Sequence, residues 1–159
     1  MNTRVQIKEL ALTVGRGLKD YIAIHNKIQQ KSATRISSLM YSIGLGTPMA
    51  KLLAEAESLV PIWDGIAEKV EAFKATAYDS LPPDQRSYLD ILIRYVASVG
   101  RTVDALVSRQ RLLNEKSKGG ANNAISLAAY LKLETEYQAA ISDYTAIGQE
   151  LMSASRIIF

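Results

Sequence analysis

Apolar residues recur at alternating spacings of three and four in four separate segments of the chain. The first of these stripes begins at Ile7 and the second at Met49, and the third and fourth begin at Leu89 and Tyr130. An average spacing of 3.5 residues keeps one stripe of a helix facing its partners, as in coiled coils. The pattern predicts an all-α fold, namely a single up-down-up-down antiparallel four-helix bundle with coiled-coil-like heptad seams.

Helix-breaking residues indicate where these helices begin and end. Pro48 suits the first position of a helix because it has no amide proton to leave unpaired. Pro82 and Pro83 separate the second helix from the third, and Gly119 and Gly120 separate the third from the fourth. The predicted helices span approximately residues 3–31, 48–78, 82–117 and 124–158 of one domain, residues 1–159.

Two residues disturb the helical pattern. Pro61 falls on the outermost heptad position of the second helix, where water can bond the carbonyl that proline leaves free, so we expect a kink at Pro61 and not a break. Gly17 lies on the seam of the first helix, and its missing side chain allows a bulky neighbour to approach. We expect Trp63 or a tyrosine of the fourth helix to fill that space.

The composition is compatible with one domain that builds its own core. The chain has 159 residues, of which 48% are hydrophobic. It has no cysteine, which excludes disulfides, thiolate zinc sites and thiol catalysis. Charges are scattered through residues 1–31, and no apolar run approaches the roughly 20 residues of a membrane span. These features predict a cytoplasmic protein.

Charge alternates in sign along the four predicted helices. The formal charges of the four predicted helices are +4, −2, +2 and −2, and the net charge of the whole chain is +3. In an up-down-up-down bundle each helix neighbours the preceding and the following one, so adjacent helices are of opposite sign. The alternation favours this topology and disfavours nucleic acid as a partner, since much of the basic charge has an acidic neighbour.

Residues suited to catalysis or metal binding are scarce. His25 is the only histidine, and no Glu-x-x-His pair of the kind used by di-iron bundles is present. One histidine without a nucleophile elbow does not indicate a Ser-His-acid triad. The sequence therefore predicts no enzyme, no metal and no cofactor, and His25 is interpreted as a residue at the edge of the seam.

Three further patterns do not decide the function. Acidic residues repeat every seven positions, and such rows either pair with a basic helix, are solvated, or face a basic partner. Arginines cluster on the third helix, but few aromatic side chains interleave with them for stacking on bases. A tyrosine ladder on the fourth helix either packs in the core or lines a pocket for a ring-shaped ligand. These three sets are Glu57, Asp64, Glu71 with Glu136, Asp143, Glu150; Arg86, Arg94, Arg101, Arg109, Arg111; and Tyr130, Tyr137, Tyr144.

Two apolar stretches are not explained by the bundle. The connection between the first two helices, residues 36–47, carries no charge, and the chain ends on an apolar tripeptide. Exposed apolar groups of this size usually mark contact surfaces, although these groups can also cap the bundle. The candidate partner-contact residues are Leu39, Met40, Tyr41, Ile43, Leu45, Ile157, Ile158 and Phe159.

Two functions remain from these observations. The first is a non-enzymatic helical module, such as an adaptor, assembly factor, chaperone or immunity-type binder, which binds a protein partner or associates with itself. The alternative is a membrane-active bundle, in which residues 36–50 lie in the interface of a bilayer because they are too few to span it. Neither function involves a small-molecule substrate.

Overall fold

The chain folds into helices. A computed structural model describes residues 2–33, 48–118 and 127–159, and these are almost entirely helical, which confirms the all-α class. The predicted start of the fourth helix at residue 124 and the connection 36–47 lie outside the described residues. The elements are α1 (Thr3–Ala33), α2 (Pro48–Glu57), α3 (Leu59–Ala77), a 3₁₀ turn (Tyr78–Ser80), α4 (Pro83–Lys118) and α5 (Leu127–Ile158).

The second predicted helix, residues 48–78, is divided at Ser58. The amide of Ser58 still donates to the carbonyl of Ala54 at 3.0 Å, and its hydroxyl donates to the carbonyl of Glu55 at 2.7 Å. Helical structure resumes at Leu59. Pro61 follows three residues after the division, and its missing amide is the one that bonds the carbonyl of Glu57 in an unbroken helix.

Helix α4 is the central element. It packs against α1, α2, α3 and α5. Its heptad seam is buried, as predicted, and a further row with seven-residue spacing is buried beside it: Tyr88, Tyr95, Thr102 and Arg109. A helix with neighbours on several sides buries a wider face than the two heptad positions of a coiled coil. The hydrophobic core therefore forms around α4.

Polar contacts show the relative direction of α4 and α5. On α4 and α5, Arg94 pairs with Glu150 at 3.1 Å, and the Thr102 hydroxyl donates to the Ala140 carbonyl at 3.1 Å. Since a later residue of α4 meets an earlier one of α5, these two helices are antiparallel. The Lys27 ammonium near the end of α1 pairs at 2.5 Å with the Glu55 carboxylate on α2.

Close packing at Gly17 agrees with the sequence-based expectation. A β-carbon placed on Gly17 meets Cδ1 of Ile66 at 2.5 Å and the ring of Trp63 at 3.5 Å. Both neighbours are buried on α3. Glycine at this seam position therefore allows α1 and α3 to approach around Trp63.

Two kinds of site do not occur among the residues that the structure describes. No helix there combines enough length and apolar character to cross a bilayer. Within the same ranges, no three histidine, aspartate or glutamate side chains converge as metal ligands would.

Candidate functional site

The space between α1 and α5 is filled by aromatic rings along part of its length. Tyr21 and Tyr137 are fully buried, and the rings of Tyr21 and Tyr144 meet edge to face at 5.8 Å between centroids. His25 lies 5.8 Å from the ring of Tyr137. Large rings bridge the gap here, because the backbones of α1 and α5 themselves make few close approaches.

Hydrogen bonds join these rings into a chain. The Tyr21 and Tyr137 hydroxyls are 2.9 Å apart, and the Tyr137 hydroxyl is 2.5 Å from Nδ1 of His25. Burial raises the pKa of Tyr137 to about 12, so its hydroxyl keeps its proton and donates to an unprotonated Nδ1. Burial, followed by the nearby Arg109 charge, lowers the pKa of His25. The neutral tautomer of His25 with the proton on Nε2 fits this chain.

A buried arginine lies beside the ring cluster. The Nε of Arg109 is 2.5 Å from the Glu134 carboxylate, and its Nη2 donates to the Tyr130 hydroxyl at 3.2 Å. The guanidinium also lies 5.8 Å from the ring centroids of both Tyr130 and Tyr137. A buried charge needs such partners, since an unpaired one costs several kcal/mol. The pair ties α4 to α5 and is interpreted as a structural contact.

Further along the same gap, small residues leave it open. A groove with a volume of about 230 Å³ lies between α1 and α5, with α4 as its floor. We call it the α1–α5 groove. It is lined by Ala11, Val14, Gly15 and Leu18 of α1, Tyr88, Leu92 and Tyr95 of α4, and Gly148, Leu151, Met152 and Ser155 of α5.

The two glycines of the groove differ in their surroundings. A β-carbon on Gly148 lies 3.1 Å from the Tyr95 ring, so glycine at this position accommodates that ring. A β-carbon on Gly15 meets no atom within 4 Å. Glycine inside a helix costs about 1 kcal/mol relative to alanine, and no close neighbour in the fold requires it at Gly15.

The lining of the groove carries no charge. Its polar side-chain groups are the hydroxyls of Tyr88, Tyr95 and Ser155. Burial raises the pKa of Tyr88, and burial with the neighbouring Tyr144 raises that of Tyr95 to about 12. The floor is therefore neutral at physiological pH and suits an apolar occupant.

Exposed apolar side chains follow the groove on both sides. The described residues include eight large hydrophobic side chains that are well exposed, and four of these lie in line with the walls of the groove. Leu12 is 54% exposed on α1 and Met152 is 57% exposed on α5. Seven-residue steps keep each row on one side of its helix. The four are Val5 and Leu12 on α1, Met152 on α5 and Phe159 at its end.

The predicted contact residues are only partly placed. Ile158 is buried, Ile157 is 76% exposed, and the Phe159 ring packs edge to face on Tyr88 at 5.6 Å. Phe159 therefore adjoins the α1–α5 groove through Tyr88, which lines it. The remaining predicted contacts lie outside the described residues, so their role and the membrane hypothesis stay predictions: Leu39, Met40, Tyr41, Ile43 and Leu45.

Both acidic rows include a residue that pairs with the arginines of α4. Glu57 pairs with Arg111 at 2.9 Å, and Glu150 pairs with Arg94. Arg109, grouped with them in the sequence, is buried. Tyr137 of the predicted tyrosine ladder is likewise buried in the ring cluster.

The sequence-based prediction missed the groove. A signal was present in the seven-residue steps from Val5 to Leu12 and from Met152 to Phe159, which place apolar residues outside the seam. Such steps do not reveal that the two rows face the same gap. Comparisons with protein-family models, with curated proteins and with solved structures give no match.

Proposed function

We propose that the chain is a single up-down-up-down four-helix bundle in which α2 and α3 together form the second helix. The antiparallel order of contacts between α4 and α5 supports this arrangement, as does the Lys27–Glu55 pair between the end of α1 and α2. In the same proposal, Pro61 bends the second helix, because the carbonyl of Glu57 lacks its usual donor there.

We further propose that the protein is a non-enzymatic interaction module that binds a helix of another protein in the α1–α5 groove. The observation that carries this proposal is the apolar groove itself, with four exposed large hydrophobic side chains in line with its walls. An amphipathic helix that enters such a groove covers the floor and both rows together. Exposed apolar groups beside an apolar groove are typical of protein-binding surfaces.

The size of the groove favours side chains of a protein over a small molecule. Pockets for drug-sized ligands and cofactors enclose roughly 300–1,000 Å³ and place several polar groups to orient the ligand. The α1–α5 groove has about 230 Å³, and its polar side-chain groups are neutral hydroxyls. A volume of this size holds a few anchoring side chains of a docked helix.

The test fills the groove without disturbing the fold. Gly15→Phe adds a ring at a position whose β-carbon meets no atom within 4 Å, and Gly65→Phe makes the same change at a second such position, on α3. Wild type and both variants are immobilised and exposed to lysate from the native source, and retained proteins are quantified by mass spectrometry. We expect proteins that bind wild type and Gly65→Phe but are lost from Gly15→Phe.

Equal binding by all three proteins contradicts the proposal. If the three columns retain the same proteins in the same amounts, the groove is not the binding surface and the proposal fails. Circular dichroism and light scattering on each variant confirm beforehand that all three fold and have the same oligomeric state.

A further inference from the structure

We infer that the occupant of the α1–α5 groove is an acidic amphipathic helix, with aspartate or glutamate beside its apolar stripe. This inference rests on the proposed function and specifies the chemistry of the partner. Three observations support it: the shape of the groove, the charge along its edges, and the like charges that a second copy of the chain would place on the same surface.

The groove has the length and direction of a helix-binding site. Its α1 wall, from Ala11 to Leu18, follows the helix axis for about 10 Å, and its α5 wall, from Gly148 to Ser155, does so for about the same distance. That length matches about two turns of a partner helix. Gly15 lets the partner backbone or a bulky anchor come close to α1 at the centre of this surface.

Basic side chains border the groove on the α1 side. Lys8 lies three residues before Ala11, and Lys19 lies four residues after Gly15, so both share the side of α1 that lines the groove. Arg4 lies one heptad before Ala11. All three side chains belong to residues that are exposed.

Acidic side chains of the same two helices lie elsewhere. On α1, Asp20 lies one heptad before Lys27 and Glu9 lies five full turns before it, so both share the side of Lys27, whose pairing with Glu55 places that side toward α2. On α5, Glu150 pairs with Arg94, so the row it shares with Asp143 faces α4. The groove is therefore bordered by positive charge.

The α5 edge adds no negative charge. Gln138 and Thr145 belong to the exposed row that contains Met152, and Arg156 follows Met152 by four residues. Glu134, on the inner side of α5, lies beyond the groove and is paired with Arg109. A partner helix with acidic flanks complements both edges, whereas a basic one is repelled.

The same charges argue against a second copy as the occupant. In a two-fold symmetric dimer the same patch meets itself, so Lys8, Lys19 and Arg156 of one copy lie near those of the other. No acidic side chain borders the groove to offset them. A heterologous acidic helix avoids this repulsion.

A displayed helix library tests the inference. The probe is a library of 21-residue peptides with apolar residues at heptad positions a and d and randomised residues at e and g, selected on wild type and counter-selected on Gly15→Phe. We expect enrichment of aspartate and glutamate at the randomised positions. Binding of enriched peptides should weaken about three- to tenfold in Lys8→Glu/Lys19→Glu, but not in the exposed α3 control Lys69→Glu.

Each other outcome overturns a defined part of the argument. Peptides that depend on Gly15 but carry neutral or basic flanks overturn the acidic partner and leave the binding groove standing. A library with no Gly15-dependent binders overturns both proposals. Dimerisation of the free protein that is abolished by Gly15→Phe shows that a second copy is the occupant and also overturns the inference.

Discussion

At the scale of single residues, two neighbouring glycines of α1 have different surroundings. Gly15 and Gly17 are two positions apart and carry the same intrinsic cost in a helix. Gly17 faces Trp63 and Ile66, whereas Gly15 faces an open groove. Trp63 packs beside Gly17, as expected, but the space of the missing side chain is occupied by Ile66, and neither Ile66 nor the open space at Gly15 was foreseen.

This difference predicts that replacement by alanine stabilises the fold at Gly15 and destabilises it at Gly17. Gly15→Ala should stabilise the protein by about 1 kcal/mol, which raises Tm by about 2–4 °C, because it removes the helix penalty and meets no neighbour. Gly17→Ala gains the same propensity but forces the buried Ile66 against Trp63, and overpacking of this kind costs about 1–3 kcal/mol. Thermal unfolding checks both, and an equal rise of Tm in the two variants contradicts the packing described at Gly17.

At the scale of elements, the proposal assigns the division of the second helix at Ser58 to Pro61, which is exposed to solvent. The helix signals on both sides of Ser58 are continuous, and the seam residues Ala56, Leu59 and Trp63 are all buried. The sequence therefore predicted one helix with a bend at Pro61. Because proline has no amide proton, the carbonyl four residues earlier loses its hydrogen bond, and the helix is disturbed in the turn before the proline.

Replacing that proline tests the explanation. Pro61→Ala restores the donor for the Glu57 carbonyl, so we expect α2 and α3 to join and the free energy of unfolding to rise by about 1–3 kcal/mol. Far-ultraviolet circular dichroism and denaturant unfolding measure both effects. Ile62→Ala, at the exposed neighbouring position, is the control and should not stabilise. If Pro61→Ala leaves the free energy of unfolding unchanged, Pro61 is not the cause of the division at Ser58.

At the scale of the whole molecule, one polar cluster couples α1, α4 and α5. Tyr21 and His25 come from α1, Arg109 from α4, and Glu134 and Tyr137 from α5. Each helix supplies a group that another must satisfy, so the cluster fixes the helices relative to one another. The stability of the whole fold is therefore linked to the protonation of the single histidine.

The direction of this pH dependence follows from the lowered pKa of His25. Below about pH 6.5 the unfolded chain binds a proton at His25 more readily than the folded protein does, so stability is full above that pH and falls as the pH decreases toward the folded-state pKa. We expect wild type to lose more stability between pH 8 and pH 5 than His25→Asn, whose amide oxygen takes the position of Nδ1 as the acceptor for Tyr137. Denaturant unfolding at both pH values gives the difference, and identical losses contradict the buried, neutral His25.

The sequence by itself determined the all-α class and the buried seam of α4. Periodicity, prolines and glycines act over a few residues, so the spacing of Leu89 and Leu92 was enough to identify one face of α4. The same local reasoning could not show that Tyr95, Thr102 and Arg109 are also buried, because their burial depends on how many helices surround α4. Only the tertiary structure decided that α1 and α5 are joined by rings at Tyr21 and left open at Gly15. That distance depends on helices far apart in the chain, and no local pattern reports it.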